Sequence, residues 1–272
     1  MTKLLDGLEL QGYIKERQLR QVRNLHQQHL ITPTLLILKS LGASNVIDAY
    51  VRMKSRYAED IAIKVIVESL SESDMAKRID QANVDSNIQG IIVQLPLDDV
   101  SQTNFLCNKI SSEKDVDGLG GGGIFPSATA QAIDWLLAGY GVDLQDKHIA
   151  IIGNGKLVGA PLALMWKSRG LMVTVLDDTS EDIPSVLEQS DIIVSATGSP
   201  RVVSSIHVKH GAVVVDAGTA SEKGKIVGDV ADDVRLRDDV TVTPAKGGVG
   251  PLTYTVLFDH LIEACLKKAG ML

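Results

Sequence analysis

Residues that staple, stack or anchor a protein are scarce in this 272-residue chain. There are two cysteines, Cys107 and Cys265, far apart and in no CxxC or metal-ligand spacing, which excludes a disulfide scaffold and points to a reducing, cytoplasmic setting. Aromatic residues make up 4%, too few for rows of base-stacking platforms. Lys and Arg number 27 against 34 Asp and Glu, a formal net charge of −7. That balance speaks against nucleic acid or an anionic membrane surface as a partner. No run of about 18 apolar residues occurs, so no membrane span is expected. Charge interrupts the first residues too early for a secretory signal. The histidines, His26, His29, His148, His207, His210 and His260, form no ligand set, so no metal is expected. What the chain does have is 44% hydrophobic residues, 22% charged residues and 24 glycines. This is a globular composition, long enough for one large domain or two modest ones.

Apolar runs of strand length at residues 35–38, 61–67 and 90–95 alternate with helical periods at 46–60, 72–83 and 99–110. Strand and helix in alternation predict parallel βαβ units. Five of the six residues at 118–123 are glycine, a stretch that reads equally as a flexible linker or as a functional loop. A helix at 130–138 leads into a second alternation, with strands at 148–152, 172–176, 191–196 and 212–216 and helices between them. A short strand at 240–243 and a final helix at 252–268 follow. The pattern predicts two α/β lobes: residues 1–119 with 252–272, and a Rossmann-type doubly wound parallel sheet over 120–251.

The most specific local motif is Gly153-Asn154-Gly155-Lys156-Leu157-Val158-Gly159. It follows a wholly apolar strand and opens a helix, the setting in which glycines let the backbone approach a pyrophosphate at a helix N-terminus. The spacing is GxGxxxG, so the context carries the reading more than the pattern does. Asp177 and Asp178 end the next strand, 22 and 23 residues after Gly155. A carboxylate there can accept hydrogen bonds from the adenosine ribose and would repel a 2′-phosphate. No Lys or Arg lies between 171 and 180, so NAD is expected in preference to NADP. Gly153, Asn154, Gly155, Lys156, Val158, Gly159, Asp177 and Asp178 are the candidate cofactor residues, completed by Thr197 and Gly198 after the third strand of this lobe.

In the first half, Tyr50 and Lys54 stand four apart on one helix face. Val46, Tyr50, Met53 and Tyr57 recur at helical spacing, which reads Tyr50 as a core aromatic and Lys54 as a solvated flank. Gln94 interrupts an apolar strand, where an unpartnered amide would cost about 1–3 kcal/mol. It also lies at the C-terminal end of a parallel strand, where open α/β sheets place ligands. The charged segment Lys114-Asp115-Val116-Asp117-Gly118 reads as a turn or as part of a site.

Several motifs together are more specific than any one: Tyr50-Val51-x-x-Lys54, Val93-Gln94-Leu95-Pro96-Leu97, Lys114-Asp115-Val116-Asp117-Gly118, and Gly247-Gly248-Val249-Gly250-Pro251 followed by Thr253. With the nucleotide turn and Val227-Gly228-Asp229-Val230 in the same order, the chain from about residue 4 to 268 resembles one family. This is the bifunctional methylenetetrahydrofolate dehydrogenase/methenyltetrahydrofolate cyclohydrolase family. The resemblance implies oxidation of 5,10-methylenetetrahydrofolate with NAD or NADP, hydrolysis of the methenyl product to 10-formyltetrahydrofolate, and a cleft between the lobes for both. It implies Lys54 as the central catalytic residue, oriented by Gln94. Tyr50 would stack on the aminobenzoyl ring and Asp117 would hold the pterin. Gly247, Gly248, Val249, Gly250 and Pro251, with Thr253, would form a backbone wall beside the substrate. It also implies a homodimer formed through the cofactor lobe.

The chain departs from the family at several points. Ser44-Asn45-Val46-Ile47 replaces an Asn-Pro-Ala-Ser type segment, and Gly155 stands for a Ser. Leu119-Gly120-Gly121-Gly122-Gly123 replaces a His-Pro-containing loop. Ser127-Ala128-Thr129-Ala130 replaces Pro-Cys-Thr-Pro, and Lys246 replaces a Pro. Asp177 and Asp178 stand where many members carry residues that receive the 2′-phosphate. On the residues alone, a dehydrogenase of another small substrate and a non-enzymatic folate- or nucleotide-binding protein stay open.

Overall fold

The strand Thr34–Ser40 is apolar on both faces, as a strand covered on both sides must be, and it organises the first α/β unit. It pairs in parallel with Lys64–Leu70 on one side and Gly90–Val93 on the other. The computed structural model describes residues 3–222 and 225–271. Its chain divides into two compact units, Gly12–Ala128 with Tyr254–Leu272, and Met1–Gln11 with Thr129–Thr253.

In the first unit, the helices Glu72–Val84 and Thr103–Lys109 cover one face of the three-stranded sheet. They build a core of Leu36, Leu38, Met75, Ile79, Ile91 and Leu106. The helix Asn45–Asp60 starts at Ser44, whose hydroxyl accepts from the Ile47 N–H as an N-cap. It ends at Ile61, whose N–H reaches back to the Tyr57 and Ala58 carbonyls. The strand expected at 61–67 therefore runs three residues later, over Lys64–Leu70. Residues 61–63 close the helix, with Ala62 in the left-handed region at φ 58°. The helix is pinned by a buried polar chain: the Tyr57 hydroxyl donates to Gln18 Oε1 (2.8 Å), and Gln18 Nε2 donates to the Thr255 carbonyl (2.9 Å).

The second unit carries a six-stranded sheet in the order Lys3–Leu4, Thr241–Val242, Val213–Asp216, Ile192–Ser195, Ile149–Ile152, Val173–Leu176. Every neighbouring pair is parallel. The four strands expected here all form, each starting one residue late, with helices Gly159–Ser168 and Ile183–Gln189 between them. A core of Ala150, Ile152, Ile193, Val214 and Val242 lies against the sheet.

Three boundaries differ from the sequence expectation, one of them only in that Leu252 and Thr253 fall with the Rossmann unit. Residues 3–11 belong to the Rossmann unit, because Lys3–Leu4 adds a strand beside Thr241–Val242 and the Leu5 N–H donates to the Val242 carbonyl. Two residues are too few to register as a strand by pattern. Residues 120–128 stay with the first unit, where the Ala128 N–H donates to the Asp117 carbonyl at 3.0 Å. The 23-residue helix Gly7–His29 carries His26 and His29 three apart in its last turn. Its buried stripe is carried by few residues, among them Gln18, Val22 and Leu25.

Candidate active site

The helix Asn45–Asp60 buries Ile47, Val51, Lys54, Tyr57 and Ala58. The expected face of Val46, Tyr50, Met53 and Tyr57 is thus off by about one residue. Met53 is 38% exposed, Tyr50 is half-buried, and Lys54 occupies a core position at 9% exposure rather than a solvated flank. A lysine in that row must find an acceptor or lose its charge. It finds Gln94: Lys54 Nζ donates to Gln94 Oε1 at 2.6 Å, and Gln94 Nε2 donates to the Leu95 carbonyl at 3.2 Å. Gln94 lies one residue past the strand Gly90–Val93, held there by its own N–H on the Leu38 carbonyl (2.7 Å). The sheet's C-terminal edge therefore aims the amide at the helix.

Burial pushes the Lys54 ammonium below the ordinary lysine pKa, with the Asp117 carboxylate pulling the other way. Burial raises Asp117, opposed by Lys54 and reinforced by the negative charge of Asp115. Both groups are thus displaced toward their neutral forms, as burial of a charged group requires. Lys54, Gln94 and Asp117 are gathered in one unit, with Tyr50 one turn before Lys54. Lys114 serves the fold: its Nζ donates to the Ala82 and Asp85 carbonyls, both at 2.7 Å, capping the end of the helix Glu72–Val84. His260 was missing from the sequence-based site. Its Nδ1 lies 2.8 Å from the Val116 carbonyl, which can only accept, so Nδ1 carries the hydrogen. The ring stacks on Phe125 (4.7 Å), and burial lowers its pKa, so a neutral imidazole backs the 116–117 backbone.

In the other unit, the chain runs from Ile149–Ile152 to one neighbouring strand and later to the other, which makes a switch point at the C-terminal ends. Gly153 turns there at φ 97°, and a Cβ on it would lie 2.5 Å from the Ala196 carbonyl oxygen. A Cβ on Gly159 would lie 1.7 Å from the Gly153 oxygen. Both contacts demand glycine, and they set the 153–159 turn against the 196–198 loop. Asn154, Gly155 and Lys156 are exposed, and the helix opens at Gly159 after Val158.

Thr197 is fixed by a residue to which the sequence reading had given no role. Asp229 is fully buried, and its Oδ2 accepts from the Ser195 hydroxyl (2.8 Å), the Thr197 N–H (2.6 Å) and the Thr197 hydroxyl (2.9 Å). Asp216 in turn accepts from the Asp229 N–H (2.9 Å) and from Arg235 Nη2 (2.7 Å) in a buried ion pair. The signal was present as Asp at the end of one strand and in Gly228-Asp229-Val230, yet periodicity cannot say that two loops meet. Asp177 accepts through Oδ1 from the Thr179 N–H (3.0 Å) and hydroxyl (2.6 Å), which holds its carboxyl below the usual range, while Asp178 is exposed.

The segment expected as a backbone wall is in part a helix. Gly247 and Gly248 lie in a loop, but Val249, Gly250 and Pro251 open the helix Val249–Lys268, three residues before the expected start. Proline is tolerated there because first-turn N–H groups have no helical acceptor. Thr253 lies one turn on, its hydroxyl donating to the Val249 carbonyl at 3.4 Å.

Comparison with known proteins matches residues 5–117 to the tetrahydrofolate dehydrogenase/cyclohydrolase catalytic domain. Residues 127–269 match the NAD(P)-binding domain of the same enzymes. The bifunctional protein FolD of Macrococcus caseolyticus is 34% identical over 98% of both chains. The crystal structure of the bifunctional FolD dehydrogenase/cyclohydrolase from Campylobacter jejuni superimposes with a TM-score of 0.91. It is 32% identical, covering 98% of this chain and 100% of that one. The Trypanosoma brucei enzyme, solved with NADP and an inhibitor, has a TM-score of 0.90 at 26% identity, covering 100% of this chain and 99% of that one. With both of its units matched and full-length relatives above 30% identity, the chain belongs to the tetrahydrofolate dehydrogenase/cyclohydrolase family.

Proposed function

We infer that this chain oxidises 5,10-methylenetetrahydrofolate to the 5,10-methenyl form and hydrolyses that form to 10-formyltetrahydrofolate. The observation that carries the reading is the buried Lys54, hydrogen-bonded to Gln94 and electrostatically coupled to Asp117. In hydrolysis, the unprotonated form of Lys54, which burial favours, takes a proton from the water that adds to the methenyl carbon, and the bond from that carbon to N5 then breaks. Of the two water protons, one ends on N5 and one is released. Gln94 holds Nζ in place, Asp117 binds the pterin edge, and Tyr50 packs on the aminobenzoyl ring. Gly247 and Gly248 present loop backbone, and Val249, Gly250, Pro251 and Thr253 the first helical turns, to the substrate.

The 153–159 turn fits a dinucleotide, since a side chain at Gly153 or Gly159 would fill the turn. Gly153, Asn154, Gly155, Lys156, Val158 and Gly159 would hold the pyrophosphate, and Thr197 and Gly198 the adjoining part. When bound, the oxidised nicotinamide supplies the hydride acceptor for the dehydrogenase step. Asp177 and Asp178 favour NAD, because carboxylates at the end of the second strand of this unit would repel a 2′-phosphate and residues 171–180 hold no Lys or Arg. A homodimer through this unit is supported by the strand Val173–Leu176, which ends the sheet, and by Leu164 and Met172 exposed beside it.

Initial rates of both steps with NAD and with NADP test the reading. Turnover of both folates is expected, with higher kcat/KM for NAD. Replacing Asp177 by Ser and Asp178 by Arg shifts the preference toward NADP. A wild-type preference for NADP refutes the role given to the two aspartates, and no turnover with either dinucleotide refutes the dehydrogenase.

A further inference from the structure

We propose that Asp115 is a positioning residue for Asp117, and that Gly120 and Gly123 of the glycine run are glycine so that backbone can wrap its carboxylate. This rests on the reading of Asp117 as a substrate ligand. Asp115 is 2% exposed. Its segment is fixed to the sheet edge, with the Ile91 N–H on the Lys114 carbonyl (2.8 Å) and Ile91 bridged to Asp115. Its Oδ1 accepts from the N–H groups of Gly118 (3.1 Å) and Leu119 (3.4 Å), and its Oδ2 from the N–H of Gly120 (2.7 Å). Successive backbone N–H groups closing on one carboxylate form an anion nest, here filled by the chain itself.

The glycines are where such a wrap needs them. A Cβ on Gly120 would lie 2.9 Å from both Asp115 Oδ2 and the Cys107 carbonyl oxygen, and one on Gly123 would lie 3.1 Å from Asp115 Oδ2. Neither residue is in the left-handed region, so space and not backbone conformation selects glycine there. Gly121 donates to Asn108 Oδ1 at 2.7 Å, while a Cβ on Gly122 would meet no atom within 4 Å. Asp117 sits inside this arrangement, between the Asp115 carboxylate nest and the Ala128 N–H that donates to its own carbonyl (3.0 Å). Its backbone is held from both sides. A flexible linker would have no reason to distinguish Gly120 from Gly122.

Hydrogen exchange on the wild-type chain and steady-state kinetics of four variants test this together. The Gly118, Leu119 and Gly120 amides should exchange at least about tenfold more slowly than the Gly122 amide. G120A should raise the KM for the folate, or lower kcat/KM, by roughly tenfold or more, since sub-ångström misplacement of a binding group has effects of this order. The dinucleotide KM should not move, and G122A should match wild type. D115N keeps an acceptor for Gly118 and Leu119 but turns a donor toward Gly120, so it should fall between wild type and D115A in folate KM. Free exchange at residues 118–120, equal effects of G120A and G122A, or lower melting temperatures in D115N and D115A with no change in folate KM would each overturn the proposal. Absence of wild-type turnover is a different result: it refutes the enzymatic reading, while the exchange data still decide whether the wrap exists.

Discussion

Lys54→Met separates what this side chain does for chemistry from what it does to the fold. Methionine fills the volume of the lysine stem and keeps the apolar row of Ile47, Val51 and Ala58 intact. The variant loses the 2.6 Å bond to Gln94, which at a charged donor is worth about 1.5–3 kcal/mol. It also loses the burial of an ammonium group, a penalty of several kcal/mol for a charged ion. The two nearly cancel, so stability near pH 7 should stay within about 2 kcal/mol of wild type while cyclohydrolase activity is lost.

The pH dependence of that difference is the sharper readout. Lys54 has a folded-state pKa below its unfolded value of 10.5, so between the two the unfolded chain holds the extra proton. Stability then rises with pH across that window, by up to about 1.4 kcal/mol per pH unit. Below the folded pKa both states are protonated and the full penalty stands. Above 10.5 both are neutral and the penalty is gone. Asp117 has the opposite sign: its folded pKa is raised above 3.8, so its contribution is present at low pH and is lost as pH rises through the folded value. Because Asp117 is present in both proteins and acts in the opposite direction, urea unfolding of both at several pH values from 8 to 10 reads the lysine. The wild type should gain on Lys54→Met as pH rises. A difference in unfolding free energy that stays flat over this range, or a variant that still hydrolyses the methenyl substrate at the wild-type rate, refutes the assignment.

Gly159→Ala places a methyl group 1.7 Å from the Gly153 carbonyl oxygen, and calorimetry should show dinucleotide binding weakened by at least about tenfold with folate binding unchanged. An unaltered dinucleotide Kd would remove the turn from the cofactor site. Arg235→Met strips the buried Asp216 of its partner and should destabilise the chain by about 3–5 kcal/mol in urea unfolding. A loss under 1 kcal/mol would mean that the three backbone N–H groups already bonded to Asp216 satisfy it without the arginine.

The elements that bury whole faces were legible in the sequence. The strands Thr34–Ser40, Gly90–Val93, Ile149–Ile152 and Val213–Asp216 are apolar runs bounded by turns, and no helical reading suits their length. Pairings between distant residues were not legible. Lys3–Leu4 is too short to show a period, and Asp229 reaches Thr197 across 32 residues of chain. The site divided along the same line. Lys54, Gln94 and Asp117 were found through motif resemblance, and the nucleotide turn through its strand-turn-helix context. The nest around Asp115 and the neutral His260 depend on contacts that no spacing reveals.

The misreading of the helix Asn45–Asp60 shows where the physical limit lay. Val46, Tyr50, Met53 and Tyr57 form a regular stripe, and so do Ile47, Val51, Lys54 and Ala58, about one residue around the helix. Choosing by side-chain size selects the first stripe, which holds two tyrosines and a methionine. The fold buries the second, in which isoleucine, valine and alanine flank the lysine, and of the first only Tyr57 is buried. Its isoleucine, valine and alanine are smaller and allow close approach, whereas Tyr50 stays half-buried. Choosing that stripe forces Lys54 inside, and a lysine inside must have a partner at a strand end nearby. The Gln94 amide, out of place in an apolar strand, was the matching anomaly 40 residues away. Two separate violations of the local pattern, each unfavourable alone, become one hydrogen-bonded pair. A charged residue in an apolar stripe and an amide in an apolar strand should therefore be read together before either is assigned to a surface.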